Sequence, residues 1–346
     1  MAYTTIDKNS DHFNTILRTG NYAGSGTTAI TGVGFSPGLM WEKKRNGTSI
    51  HSWLDQVRGN GKQLQSETTG AETTTSQYAS IDSDGFTVNN SADYGTSSNL
   101  VSWHWKANGA GSSNSDGSTT ATVSANTTAG FSIVSWTGTG SATTLGHGLG
   151  TTPQVILVKN RSEVYGWQMY HPGLGGNNKY ISINSSDAVA TDTASWNNTA
   201  PTSSVFSVGA SDANNKNTNN IIAYCYAEKK GYSKFGSYIG NGNANGRFVY
   251  TGFKPAFVLI KNITDAGELW EMFDNKRIGY NPKNHRLYAS TNDAEDTSAE
   301  RLDLLSNGFK IRTTGSHVNE SGDTMIYMAF AENPIIGSNN IPATAK

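Results

Sequence analysis

Apolar and polar residues alternate along this chain in short runs broken by Gly, Asn and Ser, a period-two rhythm that predicts strands. Gly166-Trp-Gln-Met-Tyr170 and Leu269-Trp-Glu-Met-Phe273 alternate, so one face of each is expected buried and one wet. Gln154-Val-Ile-Leu-Val-Lys159 and Phe257-Val-Leu-Ile-Lys261 are continuous apolar runs, which suit strands covered on both faces. No stretch carries apolar residues at helical spacing over three turns without an interrupting Gly, Pro or Asn. The elements expected are therefore many short strands with tight turns and no helical layer.

The pattern recurs three times. Phe35-Ser-Pro37-Gly-Leu-Met-Trp41 leads to Trp53-Leu-Asp55, Asp84-Gly85-Phe86 and Val101-Ser-Trp103-His-Trp105. Pro153 followed by Val-Ile-Leu-Val158-Lys159, then Trp167, Val205-Phe206 and Ile222-Ala-Tyr224-Cys-Tyr226, repeats that order. Pro255, Lys261, Trp270, Asn307-Gly308-Phe309 and Met325-Ile-Tyr327 do so again. The three prolines are roughly 100 to 120 positions apart, too long for a solenoid unit and right for a small domain. The fold expected is all-β, three tandem β-sandwich units of jelly-roll or concanavalin type joined in line. They span 13–109, 131–228 and 235–333, with a Gly/Ser-rich linker at 110–130, a short linker at 229–234, and polar arms at 1–12 and 334–346. The longer linker predicts that the first unit is the more loosely attached.

Charge narrows the function. Only 15% of the 346 residues are charged, and a net charge of -1 offers no field for a nucleic-acid backbone or an acidic membrane. No apolar stretch reaches the length of a membrane span. Cys225 is the one cysteine, so stability is expected from packing and β pairing rather than disulfides. Met1-Ala-Tyr-Thr-Thr-Ile-Asp7-Lys8 has no basic segment followed by an apolar one, so no signal peptide is expected.

Recognisable chemistry is sparse. The seven histidines are scattered without metal-site spacing. Asp82-Ser-Asp84-Gly85 reads as a turn before a strand, because a calcium loop needs more oxygen ligands at fixed offsets. Asp293, Glu295, Asp296 and Glu300 read as a solvated acidic loop, with a cation as the alternative. Gly146-His-Gly148-Leu-Gly150 enters a Pro-led strand rather than a helix, so no phosphate cradle is expected. No nucleophile–base pair or carboxylate pair recurs in the three copies, and neither a catalytic residue, a metal nor a cofactor is assigned. Trp53, Trp167 and Trp270 occupy matching places and are expected in the core. Tyr94, Tyr165 and Trp196 fall in polar stretches outside the shared pattern, so they are the candidates for contact with a ligand or partner. Arg58 and Arg277 each follow an aspartate, Asp55 and Asp274, by three residues, which fits a structural ion pair or a ligand contact equally well.

Longer strings carry a resemblance. The opening Met-Ala-Tyr-Thr-Thr-Ile-Asp, Thr31-Gly-Val-Gly-Phe-Ser-Pro37, Gly70-Ala-Glu72-Thr-Thr-Thr, Thr199-Ala-Pro-Thr-Ser-Ser-Val-Phe206, Ala329-Phe-Ala-Glu-Asn-Pro334 and Pro342-Ala-Thr-Ala-Lys346 span nearly the whole chain. With these, the chain resembles a family of tail-fibre-like virion structural proteins of marine tailed bacteriophages. The departures are Trp41-Glu-Lys-Lys and His104. The resemblance implies a virion component made in the host cytoplasm, partnered with other virion proteins, with a homotrimer expected. The resemblance leaves the position on the particle open: a fibre or appendage presenting β-sandwich domains to a host surface, with a glycan or receptor as partner, is the first reading, and a capsid decoration or tail knob is the alternative. A polysaccharide-acting enzyme is the third reading.

Overall fold

The structure is a computed structural model that describes residues 4–20, 24–92, 94–95, 97–283 and 285–334. It is 43% strand and 4% helix, which makes the chain all-β.

Three large antiparallel sheets dominate. In the first, the spatial order is Phe13–Thr19, Asn99–Trp105, Leu39–Lys44, His51–Asp55. The second runs Phe131–Thr137, Asn220–Tyr226, Val155–Asn160, Gln168–Tyr170, and the third Ser233–Ile239, Thr324–Pro334, Phe253–Asn262, Glu271–Asp274 and Leu287–Tyr288. The strand order is thus the same in each: the first strand beside the last, then the strand after the proline, then its hairpin partner. On the outer face of each large sheet lies a smaller one. Phe86 and Val88 cover Met40 and Leu54; Phe206 and Val208 cover Ile156 and Val158; Phe309 and Ile311 cover Val258 and Ile260.

The inner faces have a different fate. Trp41, Trp53 and Trp103 of the first sheet, Leu157, Met169 and Tyr224 of the second, and Leu259, Met272 and Met328 of the third belong to one hydrophobic cluster. Every pair of sheets meets there. Trp53 lies 5.2 Å from Trp167, Trp103 lies 5.5 Å from Phe257, and Tyr226 lies 5.8 Å from Phe330. This is why the strands after the prolines carry no alternation: one face fills the outer core and the other fills the shared centre. An apolar void of about 20 Å³ remains where the faces converge, lined by Trp41, Trp53, Leu157, Met169, Leu259 and Met328 among others. It offers a water no polar partner, so it is a packing gap.

Four sequence expectations are corrected here. The large sheets are not strung in line but close around one centre, to which the first contributes Trp41, Trp53 and Trp103 beside residues of the others. Residues 110–130 are not a flexible linker: Ser112–Asn114 and Ala121–Asn126 extend the second sheet beyond Phe131–Thr137. The short linker at 229–234 buries Tyr232 in the central cluster. Within the N-terminal arm, Ile6 joins the same cluster and Asn9 Nδ2 donates to the Gly231 carbonyl at 3.4 Å, so residues 4–12 pack on their own chain. The C-terminal arm lies outside the described residues beyond Pro334.

The Asp84-Gly85 turn shows how local sequence sets the small sheets. Gly85 has φ +144°, and a Cβ there would sit 2.0 Å from the Ile30 carbonyl oxygen. Asp84 accepts hydrogen bonds from the Gly32 and Gly34 amides at 3.1 and 2.6 Å, which spends the carboxylate on the turn.

Because the centre is shared, Trp53→Ala is expected to cost about 3–5 kcal/mol and to lower the urea midpoint of all three sheets together. Far-UV circular dichroism and tryptophan fluorescence followed through the same titration check this. Separate loss of only the first sheet's signal would refute it.

Candidate functional site

The densest polar chemistry in the molecule lies at the junctions between the large sheets. Strand pairing sets Lys43 opposite His51. Extending the Val158–Gln168 and Ile260–Glu271 pairings by one step sets Lys159 opposite Trp167 and Lys261 opposite Trp270. By this register Trp53, which pairs with Trp41, corresponds to Met169 and Met272, which pair with Leu157 and Leu259. All three tryptophans are buried, but the counterpart of Trp167 and Trp270 is His51 rather than Trp53.

Three ties recur around the ring. Trp167 Nε1–H donates to the Gln65 carbonyl and Trp270 Nε1–H to the Ser182 carbonyl, both at 2.9 Å. In the remaining junction His51 Nε2 meets the Tyr288 carbonyl at 3.0 Å, while its Nδ1 accepts from Trp41 Nε1–H at 2.8 Å. Four residues beyond those acceptors stand the carbonyls of Thr69, Ser186 and Asn292, which receive the ammonium groups of Lys159, Lys261 and Lys43 at 3.0, 3.2 and 3.3 Å. One residue further on from a lysine's neighbour, the Arg161, Ile263 and Arg45 carbonyls accept the backbone N–H of Glu72, Val189 and Glu295 at 2.8, 3.0 and 2.7 Å.

Each lysine also binds a carbonyl of its own stretch of chain: Tyr165, Glu268 or Lys44. All three side chains are buried, and desolvation lowers each pKa to about 8. Desolvation also holds His51 down to about 3, so the ring is neutral and bonds through a single tautomer. At two junctions an ion pair reinforces the backbone tie, Arg161 with Glu72 at 2.7 Å and Arg45 with Glu295 at 2.8 Å. The third replaces it with the apolar pair Ile263 and Val189.

The Asp–Arg motifs serve the same junctions. Arg58 Nε donates to Asp55 at 2.5 Å and Arg277 Nε to Asp274 at 2.6 Å, with all four side chains inaccessible to solvent. A ligand contact is thereby excluded. Each aspartate accepts a second donor from another sheet: Tyr224 Oη on Asp55 at 2.8 Å and Trp103 Nε1 on Asp274 at 3.2 Å. The third counterpart of Trp103 and Tyr224 is Met328, which has no proton to donate. There the aspartate is replaced by His171, whose Nε2 meets the Tyr327 carbonyl at 3.2 Å.

The candidates for outward contact fare differently. Trp196 is buried, with Nε1–H donating to the Lys179 carbonyl at 3.0 Å, so it presents nothing to a partner. Tyr94 is half-buried and its hydroxyl lies 3.1 Å from Ser52 Oγ; burial pushes its pKa up to about 12. Tyr165 is half-buried, donates to Asp212 at 3.0 Å and has the Lys216 ammonium 5.4 Å from its ring centre. Both tyrosines act as loop anchors. Of the acidic loop, Glu295 pairs with Arg45 and Arg277 and Asp296 with Arg286, while Asp293 and Glu300 are exposed. Among the described residues no group of three His, Cys, Asp or Glu side chains could hold a metal ion. No helix among them is long and apolar enough to cross a membrane.

Among the described residues, the outer surface holds a cleft lined by three lysines. It measures about 90 Å³ and is lined by Lys254, Asn275, Lys276, Tyr280, Lys283 and Glu332, with Tyr280 70% exposed at its rim. Sequence reading passed over these residues because no motif joins them; they meet through the turn after Glu271–Asp274.

A family profile, described as Domain of unknown function (DUF7483), matches residues 8–334. The chain belongs to the DUF7483 family. The matched stretch begins before the first large sheet and ends at Pro334, so it takes in all three large sheets and their junctions. No curated protein matches the chain.

The buried lysines carry a pH signature. A lysine whose folded pKa is about 8 loses its proton before the unfolded chain does, so stability rises between about pH 8 and 10.5. Urea unfolding at pH 8, 9 and 10 is expected to show that rise, and Lys159→Met is expected to flatten it. An unchanged slope in the variant would show that Lys159 is not held near pH 8.

Proposed function

We propose that this DUF7483 chain is a structural component of a tailed-phage virion, a tail-fibre or appendage part that presents β-sandwich units for attachment to a host surface. In this reading the three large sheets with their covering sheets are three repeat units, of jelly-roll or concanavalin type, bent into a closed ring. The observation that carries it is the recurrence of the same three ties at each junction. Such a ring spends its buried polar side chains on rigidity, which suits a particle part that must persist outside the cell. The near-neutral charge supports partners other than nucleic acid or membrane. No catalytic role is proposed.

The inner faces are consumed within one chain, so assembly with other virion proteins, including a homotrimer, would use the outer sheets and loops. A cryo-electron microscopy map of the particle whose genome encodes the chain tests the proposal. It is expected to show the three-sheeted ring at a tail appendage with outer loops facing solvent. Density on the capsid surface would support the decoration reading instead, and absence from the particle would overturn both.

A further inference from the structure

We propose that the cleft formed by Lys254, Asn275, Lys276, Tyr280, Lys283 and Glu332 is a subsite for an acidic monosaccharide of uronate type. The inference rests on the host-surface reading for the source of the ligand, but its chemistry is read from the cleft.

The first large sheet supplies an internal comparison. The pairings Leu39 with Asp55 and Phe257 with Asp274 put Ser36, Gln56 and Val57 where the third sheet has Lys254, Asn275 and Lys276. In the first sheet Gln56 Nε2 donates to Ser36 Oγ at 2.8 Å, and no lysine stands at these positions. The hollow beside it, lined by Gln56, Gly59 and Asn60, contains no charged side chain. The scaffold therefore does not require lysines at this place.

In the third sheet the backbone closes the same turn, Asn275 N–H donating to the Ala256 carbonyl at 2.9 Å, but the side chains around it differ. Lys254 reaches away to Glu332 at 2.8 Å, and Asn275 Oδ1 is buried with no hydrogen-bond partner. A second hollow of about 60 Å³ shares Asn275, Lys276 and Glu332 and runs toward Thr15, whose Oγ1 is also buried without a partner. Three ammonium groups against one carboxylate leave the cleft cationic, with the Lys283 ammonium held by the Ile278 carbonyl and Lys276 exposed. Tyr280 stands at the rim with 70% of its surface exposed, a flat apolar ring beside a polar hollow.

These parts match one ligand chemistry. The uronate carboxylate pairs with Lys276 through a charge-assisted hydrogen bond. The apolar face of the sugar lies on the exposed Tyr280 ring. The hollow is small, so it takes the polar edge of a single terminal residue while the rest of a glycan stays in solvent.

The full chain is titrated with glucuronate, glucose and inorganic phosphate by saturation-transfer NMR and calorimetry, as wild type, Lys276→Gln and Tyr280→Ala. Both substituted side chains are exposed, so folding is not at stake. Saturable glucuronate binding is expected, about tenfold stronger than glucose. Each substitution is expected to weaken it at least about fivefold. Absence of glucuronate binding, equal binding by either variant, or phosphate binding as tight as glucuronate would overturn the subsite. Purified chain that adsorbs to host cells without competition by glucuronate would sink the subsite and leave host attachment standing. Glucuronate binding as expected by a chain absent from the particle would do the reverse.

Discussion

Three β-sheets can turn their faces to one centre only if the backbone groups where their loops meet find partners out of water. A buried carbonyl left unpaired costs about 1–3 kcal/mol, and every junction brings several together. The chain answers with a lysine at the end of the central strand of each large sheet, reaching across to the neighbouring loop. The ammonium supplies up to three donors from one side chain, enough to hold a carbonyl of its own loop and one of the neighbour's. Desolvating that charge is the penalty, expressed in pKa values lowered to about 8. The shared aromatic centre and the shape of the ring follow from this arrangement.

The junctions are alike in geometry and unlike in chemistry, and the differences are paired. Where Met328 offers no proton to a neighbouring carboxylate, the aspartate gives way to His171, which finds the Tyr327 carbonyl instead. Where Ile263 stands in place of an arginine, Val189 stands in place of the glutamate. Where His51 takes the place of a tryptophan, it still bonds the carbonyl at the same station, and Trp41 fixes its tautomer. Each replacement keeps the buried polar groups matched, which a half-satisfied network would not. At the cleft of the third sheet the side chains differ from the first sheet's, Lys254 pairing with Glu332 where Ser36 accepts from Gln56 Nε2.

Much of the fold was legible in the chain. Period-two alternation gave the strands, although Gln168–Tyr170 and Glu271–Asp274, expected wet on one face, are buried almost throughout; the continuous apolar runs marked strands covered on both faces, and the recurring prolines marked equivalent strands. The ring was not legible, because a residue facing a neighbouring sheet and one facing its own covering sheet are equally apolar. Lys159 and Lys261 looked like polite ends to apolar strands, and nothing in composition distinguishes a buried lysine from a solvated one. The Gly/Ser stretch at 110–130 misled for a related reason: its residues are turn-formers, yet Ala121–Asn126 pairs with an existing edge and needs little β propensity of its own. Among the aromatics, Trp196 looked exposed from its polar neighbours but fills the second sheet's outer core, while Tyr280, in a segment without a motif, stands in solvent.

The central claim is that the three junctions open together or not at all. Native-state hydrogen exchange of the Glu72, Val189 and Glu295 amides, which donate across the three junctions, tests it most directly. The account predicts equal opening free energies for the three, falling in parallel as urea is added and converging on global unfolding. An amide at one junction that exchanges through a smaller, urea-insensitive opening while the other two stay protected would contradict it.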